Sequence, residues 1–154
     1  MLPATRSRVA ANSNHAINRR IENGTRERVR RLADHAQEIP HRLAELDREW
    51  DIERALELTA ASLALAGTGL GALLDRRFLI LPTLVTGFLL QHALQGWCPP
   101  VPLLRRLGFR TAAEIEYERY ALKLVRGDFS GLEQSGYASS PPARVDSALE
   151  AVGA

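Results

Sequence analysis

The chain has 154 residues, of which 25% are charged and 6% are aromatic, and its net charge at pH 7 is +2. This length fits one domain with tails, and the single cysteine, Cys98, excludes an internal disulfide and a zinc site built from several cysteines. With few aromatic residues and only short β-branched runs, the composition predicts an all-α fold without a sheet.

The N-terminal residues are strongly basic, with eight arginines and two glutamates between residues 1 and 31. Pro3 and the Asn23-Gly24 pair, which is typical of turns, predict a disordered basic arm over residues 1–24. We expect its arginines to contact anionic lipid headgroups. No nucleic-acid partner is expected, because no interleaved aromatic residues and no binding motif accompany the arginines.

Residues 25–50 predict amphipathic cytoplasmic helices. Thr25 can cap the first of them, and Pro40 suits the first turn of the second. The second carries apolar residues at helical spacing, which are Leu43, Leu46 and Trp50. A tryptophan at this place suits the headgroup region of a membrane, although a solvated helix packing on its neighbour gives the same pattern. The pattern leaves open whether residues 41–74 form one continuous helix or break at Asp51.

The most informative stretch consists of two long apolar runs, Ala55–Leu74 and Phe78–Cys98. The first contains one charge, Glu57, and the second contains none unless His92 is protonated. At a rise of 1.5 Å per residue, each run covers about 30 Å, the thickness of the hydrocarbon core of a bilayer. Only three residues separate the runs, namely Asp75, Arg76 and Arg77. The sequence therefore predicts an integral membrane helical hairpin with two transmembrane helices, flanked by amphipathic cytoplasmic helices.

Glycines in both runs are candidates for helix packing. Gly67 and Gly71 have the small-xxx-small spacing that lets helix backbones approach closely in a bilayer. Spacing alone leaves open whether this face meets the second helix or another subunit. Because Gly87 lies at a similar depth in the second run, we expect a contact within the hairpin, against Val85–Leu89.

The residues after the second run predict one more helix and a tail. Pro99 and Pro100 stop the second run, and the capping-box pair Thr111 and Glu114 opens a helix that runs to about Arg126. One face of this helix is apolar, with Ala112, Ile115, Leu122 and Val125. Residues 130–154 are rich in Ser, Gly, Ala and Pro, a composition that predicts a disordered tail.

Polar residues near the start of the first run and the end of the second form a candidate cluster, because polar groups inside a bilayer are costly. A hairpin centred on Arg76 brings Glu57 level with Gln95 and within a turn of His92. The cluster comprises Glu57, Gln91, His92, Gln95 and Cys98. It is a small site for a thiol or an ion, or an interhelical hydrogen-bond cluster that sets packing, and we favour the second interpretation. We assign no catalytic residue, no cofactor and no metal ligand.

A family resemblance covers roughly residues 48–129, and the motifs that carry it lie at the end of the second run and in the residues after it. The motifs are Gly96-Trp97-Cys98-Pro99, Leu103-Leu104-Arg105-Arg106-Leu107-Gly108, Arg110-Thr111, Glu114-Ile115, Glu118-Arg119-Tyr120-Ala121-Leu122-Lys123 and Arg126-Gly127-Asp128-Phe129. In order and spacing they resemble the YgaP-like inner-membrane family, a two-helix membrane module of unknown function that is fused to a rhodanese sulfurtransferase in some proteins. The resemblance implies a two-helix transmembrane domain over residues 51–129. Sulfur transfer is not implied, because no rhodanese segment is present.

These observations predict a small integral protein of a bacterial inner membrane. Three arginines within twenty residues on each side of the hairpin, against two in its turn, place both termini in the cytoplasm. We expect a scaffold or accessory subunit that acts through helix–helix contacts, as a homo-oligomer or with another membrane protein. The alternatives are a thiol-dependent component that uses Cys98 in sulfur or redox handling, and a small oligomeric pore.

Overall fold

The computed structural model describes Ala4 and residues 6–130. This part of the chain is all-helical and contains no strand, so the predicted fold class is confirmed at that level. The α-helices are α1 (Arg8–Ala11), α2 (His15–Ala33), α3 (Ile39–Leu46), α4 (Ile52–Leu73), α5 (Ile80–Gln95), α6 (Pro100–Arg106) and α7 (Ala112–Arg126). Two short 3-10 helices, Ala36–Glu38 and Arg76–Leu79, precede α3 and α5. The predicted tail lies almost wholly outside the described residues, which end at Ser130.

The N-terminal residues differ from the predicted disordered arm over residues 1–24, since α1 and the first part of α2 are helical. Thr25, expected to cap a helix, is buried in the middle of α2. The reason is an apolar stripe at helical spacing that runs through the Asn23-Gly24 pair, made of Ile17, Ile21, Thr25 and Leu32. A glycine inside a helix costs only about 1 kcal/mol, which this stripe offsets.

The described residues fall into two compact units. The first comprises residues up to 24 and residues 49–115, and its buried cluster consists of Val9, Ile52, Leu56, Cys98 and Val101. In this unit α4 begins directly after Asp51, whose carboxylate accepts a hydrogen bond from the Arg54 amide at 2.7 Å. Because residues 47–51 are not helical, the chain breaks at Asp51 and residues 41–74 do not form one helix.

Two helices of the first unit are long and apolar enough to cross a membrane, Ile52–Leu73 and the continuous stretch Arg76–Gln95. We call these two segments the helix pair. The most apolar 18-residue windows of the two segments are only 17% and 6% buried. The second segment ends at Gln95, earlier than predicted, because Gly96 adopts the left-handed conformation (φ +75°) that ends a helix.

The second unit comprises residues 25–48 and residues from 116 onwards. Its buried apolar side chains are Leu32, Ile39, Leu43, Leu46 and Leu122. Glu118 is buried as well. By contrast, Ala112 and Val125, which belong to the predicted apolar face of α7, are exposed. The buried face of α7 follows Ile115, Glu118 and Leu122, so a glutamate occupies a position that the apolar pattern assigns to a hydrophobic residue.

Candidate functional site

One end of the helix pair carries a partly buried cluster of polar side chains, which we call the polar end and define by Arg8, Glu53 and His92. Glu53 lies in the first turn of α4 and His92 in the last turn of α5. His92 Nε2 is 2.7 Å from Glu53 Oε2, and the Arg8 guanidinium lies 3.3 Å from Glu53 Oε1. Since a carboxylate only accepts, this geometry fits the His92 tautomer that carries its proton on Nε2. His92 Nδ1 is buried without a hydrogen-bond partner among the described residues.

The glutamate that meets His92 is therefore Glu53 and not Glu57, which the sequence-based hypothesis had chosen. Glu57 is exposed and has no partner among the described residues. Glu53 lies about one turn before Glu57. It meets His92 because the two helices are offset relative to a hairpin centred on Arg76. The side chains of Gln91 and Gln95 make no hydrogen bond in the described part of the chain, so they do not complete the predicted cluster.

The C-terminal end of α5 receives its hydrogen bonds from α1. The last carbonyls of a helix lack partners within it, and cations are favoured there. Arg8 Nη1 donates to the Ala93 carbonyl at 3.1 Å, and Asn12 Nδ2 donates to the Gln95 carbonyl at 2.8 Å. A Cβ on Gly96 would lie 2.6 Å from the backbone carbon of Arg8, so a side chain here would push α1 away.

Cys98 lies beside this end of the helix pair and is only 2% exposed, within the cluster that also contains Val9 and Ile52. Burial raises the pKa of its thiol, and the carboxylate of Glu53 adds to the shift, although a hydrogen bond with the backbone of Val101 opposes it. A buried thiol with a raised pKa is a poor nucleophile at neutral pH. The environment of Cys98 in this state therefore suits packing rather than thiol chemistry.

An apolar cavity of about 180 Å³ opens between α4 and α5 next to Cys98. Its walls include Leu56, Ala60, Phe88, Leu89 and Pro99, and its lining is almost entirely apolar. The hydroxyl of Thr59, which also borders the cavity, donates to the Ala55 carbonyl at 2.8 Å. This lining suits an apolar guest rather than a polar one.

The candidate packing glycines behave differently from one another. A Cβ on Gly67 would lie 2.6 Å from Pro82 Cδ, and one on Gly71 would lie 2.5 Å from Leu79 Cδ2. Both glycines therefore lie against the start of the second segment and not against Val85–Leu89. Gly87 has open space around it, so the structure gives it no role in close packing.

A second buried ion pair of the first unit joins α6 and α7. The Arg105 side chain is fully buried and its guanidinium contacts both Glu114 oxygens, at 2.6 and 2.8 Å, and Asn18 Oδ1 at 2.8 Å. Burial favours the neutral form of Glu114, but the Arg105 guanidinium and the Thr111 hydrogen bonds outweigh this and lower the pKa of Glu114 below its usual value. The Thr111–Glu114 capping box was visible in the sequence, whereas nothing there indicated that Arg105 would be its partner.

No group of three or more histidines, cysteines or acidic residues is placed to hold a metal ion in the described part of the chain. No protein-family model, no curated protein and no solved structure matches this chain.

Proposed function

We propose that the chain is a small integral membrane protein whose helix pair spans the bilayer as a hairpin, and that it serves as a scaffold or accessory subunit. The observation that carries this proposal is the low burial, 17% and 6%, of two helices that are long enough to cross a membrane. A core helix of a soluble protein of this length buries most of its apolar residues. Large exposed apolar surfaces are rare on soluble monomers and mark contact with lipid or with another protein.

The exposed residues of the helix pair support this interpretation because they are large and apolar along both segments. Leu65 and Leu73 of α4 are 76% and 85% exposed, and Ile80 and Leu90 of α5 are 65% and 63% exposed. At about 25 cal/mol per Å² of apolar surface, leaving such side chains in water is costly. A bilayer removes that cost without requiring a second layer of protein.

The threonine hydroxyl groups of the helix pair also fit a solvent that offers no hydrogen bonds. Each threonine hydroxyl donates to the carbonyl four residues before it in the same helix, at 2.6–2.8 Å. These residues are Thr59, Thr68, Thr83 and Thr86. In hydrocarbon every polar group has to be satisfied within the protein. The charged residues of the helix pair lie near its ends, and Glu57 is within two turns of the start of α4.

We also propose which membrane contains the chain and how the chain is oriented in it. The YgaP-like resemblance, which rests on the motifs of residues 96–129, favours a bacterial inner membrane, and the arginine distribution favours cytoplasmic termini. Exposed arginines of α2 provide the contact with anionic headgroups, namely Arg19, Arg20, Arg30 and Arg31. The proposed partners are a second copy or another membrane protein, recognised through the exposed apolar surface of the helix pair.

Membrane insertion and topology can be measured together in bacterial cells. The chain should remain with the membrane after a carbonate wash. In a Cys98→Ser background, Asp75→Cys in the turn should react with an impermeant maleimide added to intact cells. The matched variant Ser130→Cys should react only after the membrane is opened. Release by carbonate would contradict insertion, and labelling of Ser130→Cys in intact cells would contradict the topology.

The scaffold role is tested against the thiol alternative with the same background. Complexes recovered in mild detergent should have the same size for Cys98→Ser as for the unchanged chain, because a packing residue replaced by a smaller one keeps the helix surface. Loss of the complex, together with failure of Cys98→Ser to rescue the cellular phenotype of a gene deletion, would favour thiol chemistry instead.

A further inference from the structure

We propose that residues 8–12 form a removable clamp, which closes the polar end of the helix pair and shields the Cys98 side chain together with the buried cluster around it. The surface beneath the clamp is a docking surface whose occupant is this segment of the same chain. The inference concerns the described contacts of the first unit and stands independently of whether the helix pair crosses a bilayer.

The clamp is held by side-chain contacts at both of its ends. Arg8 reaches Glu53 and the Ala93 carbonyl, as described above. Asn12 bonds the Gln95 carbonyl at 2.8 Å and, through the same nitrogen, the Arg8 carbonyl at 2.8 Å. A third tie comes from Asn18 Nδ2, which donates to the Ala10 carbonyl at 2.8 Å. The Ala93 and Gln95 carbonyls at the end of α5 accept no backbone hydrogen bond among the described residues, so the side chains of Arg8 and Asn12 supply their partners.

Between these ties, Val9 provides the apolar contact. It is 2% exposed and belongs to the cluster of Ile52, Leu56, Cys98 and Val101. The close approach of Arg8 to Gly96 shows that the backbone of the clamp lies directly against the residue where α5 ends. Cys98 follows Gly96 by two residues, so the clamp covers the part of the chain in which the thiol lies.

The same segment has little that would hold it in place by itself. α1 has four residues, and isolated helices this short are not stable in water. Residues 12–14, which join it to α2, are not helical and can act as a hinge. The Arg8–Glu53 pair is partly exposed, a setting in which ion pairs contribute little. Local opening of such an element costs less than unfolding of the whole domain.

Opening would expose an apolar surface with two unsatisfied helix carbonyls, those of Ala93 and Gln95, and the Glu53 carboxylate beside it. Three residues of the clamp match this surface. The Arg8 cation meets the carboxylate and one carbonyl, Val9 meets the apolar cluster, and the Asn12 amide meets the other carbonyl. The other side of Cys98 borders the apolar cavity between α4 and α5. The clamp therefore makes access of water-soluble reagents to the surface, and to the only thiol of the chain, depend on a local equilibrium.

The rate at which a maleimide alkylates Cys98 measures this equilibrium directly, with the intact chain in mild detergent and the product followed by mass spectrometry. Arg8→Gln should accelerate alkylation about fivefold, which corresponds to a loss of about 1 kcal/mol in clamp closure. Asn12→Ala should give a smaller acceleration. Arg8→Lys, which keeps the charge but not the forked geometry, should fall between Arg8→Gln and the unchanged chain.

The matched control is Arg6→Gln, because Arg6 is exposed and forms no bond with the helix pair in the described residues. Its alkylation rate should stay within twofold of that of the unchanged chain. Amide hydrogen exchange separates local opening from unfolding: Arg8→Gln should accelerate exchange in residues 8–13 while leaving α4 unchanged. Equal rates for Arg8→Gln and Arg6→Gln would overturn the proposal. So would faster alkylation accompanied by equally faster exchange in α4.

Discussion

The helix pair and the second unit place their apolar and charged residues in opposite ways. In the helix pair, leucines such as Leu65 and Leu73 face outward, and the glycines Gly67 and Gly71 are buried. In the second unit, leucines such as Leu43 and Leu122 are buried, and a charged side chain, Glu118, is buried among them. The first arrangement suits a surrounding solvent that is apolar, and the second suits water.

This contrast explains why the composition of the whole chain describes neither region. The average mixes one segment with almost no charges and another with many, so it resembles that of a soluble protein. What holds each region together differs as well. In the helix pair, close contact of small residues holds the helices together. In the second unit, paired charges and buried leucines stabilise the packing.

The largest expected effect breaks the second unit at Glu118. This carboxylate is fully buried and accepts hydrogen bonds from Arg28 Nη2 at 2.9 Å and from Arg42 Nε at 2.8 Å. Removing one partner of a buried ion pair costs about 3–5 kcal/mol, and the lower end applies here because Arg28 and Arg42 are 33% and 19% exposed. We therefore expect Glu118→Ala to lower the free energy of unfolding by about that amount, measured by thermal unfolding in mild detergent with circular dichroism.

The control for Glu118→Ala is Glu116→Ala, which removes a neighbouring glutamate of α7 whose bond with Arg119 lies at the surface. Surface pairs contribute about 0–1 kcal/mol, so this variant should unfold at nearly the same temperature as the unchanged chain. Similar losses for the two variants would show that buried charge does not organise the second unit.

The next effect tests the helix pair at its glycines. Gly67→Ala places a methyl group against the rigid ring of Pro82 and should cost about 1–3 kcal/mol of stability. Gly71→Ala should cost a similar amount, because its methyl group would lie 2.7 Å from Leu79 Cγ and 3.3 Å from the Leu79 backbone nitrogen. Gly87→Ala meets open space and gains helix propensity, so it should be neutral or stabilising. The measurement is the thermal unfolding midpoint in detergent. A loss for Gly87→Ala as large as that for Gly67→Ala would restore the packing that the sequence alone suggested.

A smaller effect concerns the polar end, where Glu53 meets His92 at 2.7 Å. Glu53→Gln and His92→Ala, made singly and together, should give stability losses that are non-additive by about 0.5–3 kcal/mol, because the two side chains are in direct contact. The same cycle with Glu57→Gln and His92→Ala should be additive, since Glu57 is exposed and unpartnered among the described residues. Coupling of His92 to Glu57 and not to Glu53 would reverse the assignment.

These residues also show which features a sequence can predict. The two membrane-length helices were located to within a few residues, because a long stretch without charges is a signal that needs no knowledge of tertiary contacts. Local caps were visible for the same reason: Asp51 caps α4, and Thr111 and Glu114 form the expected reciprocal pair, with Glu114 Oε2 accepting from the Thr111 amide at 2.8 Å.

Features that depend on partners distant in the chain were not predictable. Glu53 was overlooked in favour of Glu57 because the offset between two helices depends on how their side chains pack. The clamp was predicted as disorder, since a four-residue helix has no periodic signal and Val9 gains its burial only from residues 43 or more positions away. Glu118 did carry a signal: it lies three residues after Ile115 and four before Leu122, on the apolar face.

The smallest effect is a pH dependence at Glu114, which lies outside the helix pair and tests whether charge pairing also stabilises the rest of the first unit. Its pKa is lower in the folded chain than the ordinary value of 4.5, so the unfolded chain binds more protons at acidic pH. The stabilisation is therefore complete above about pH 4.5 and is lost as the pH falls through the lowered pKa. Glu114→Gln should destabilise the chain at pH 7 and show a shallower decline of the thermal midpoint as the pH falls below 4.5. Arg105→Gln, which removes the main partner, should flatten the same decline. If the thermal midpoint of both variants declined as steeply as that of the unchanged chain, the acid sensitivity would lie elsewhere. Asp128 is one such group, because its hydrogen bond with Arg126 also lowers its pKa.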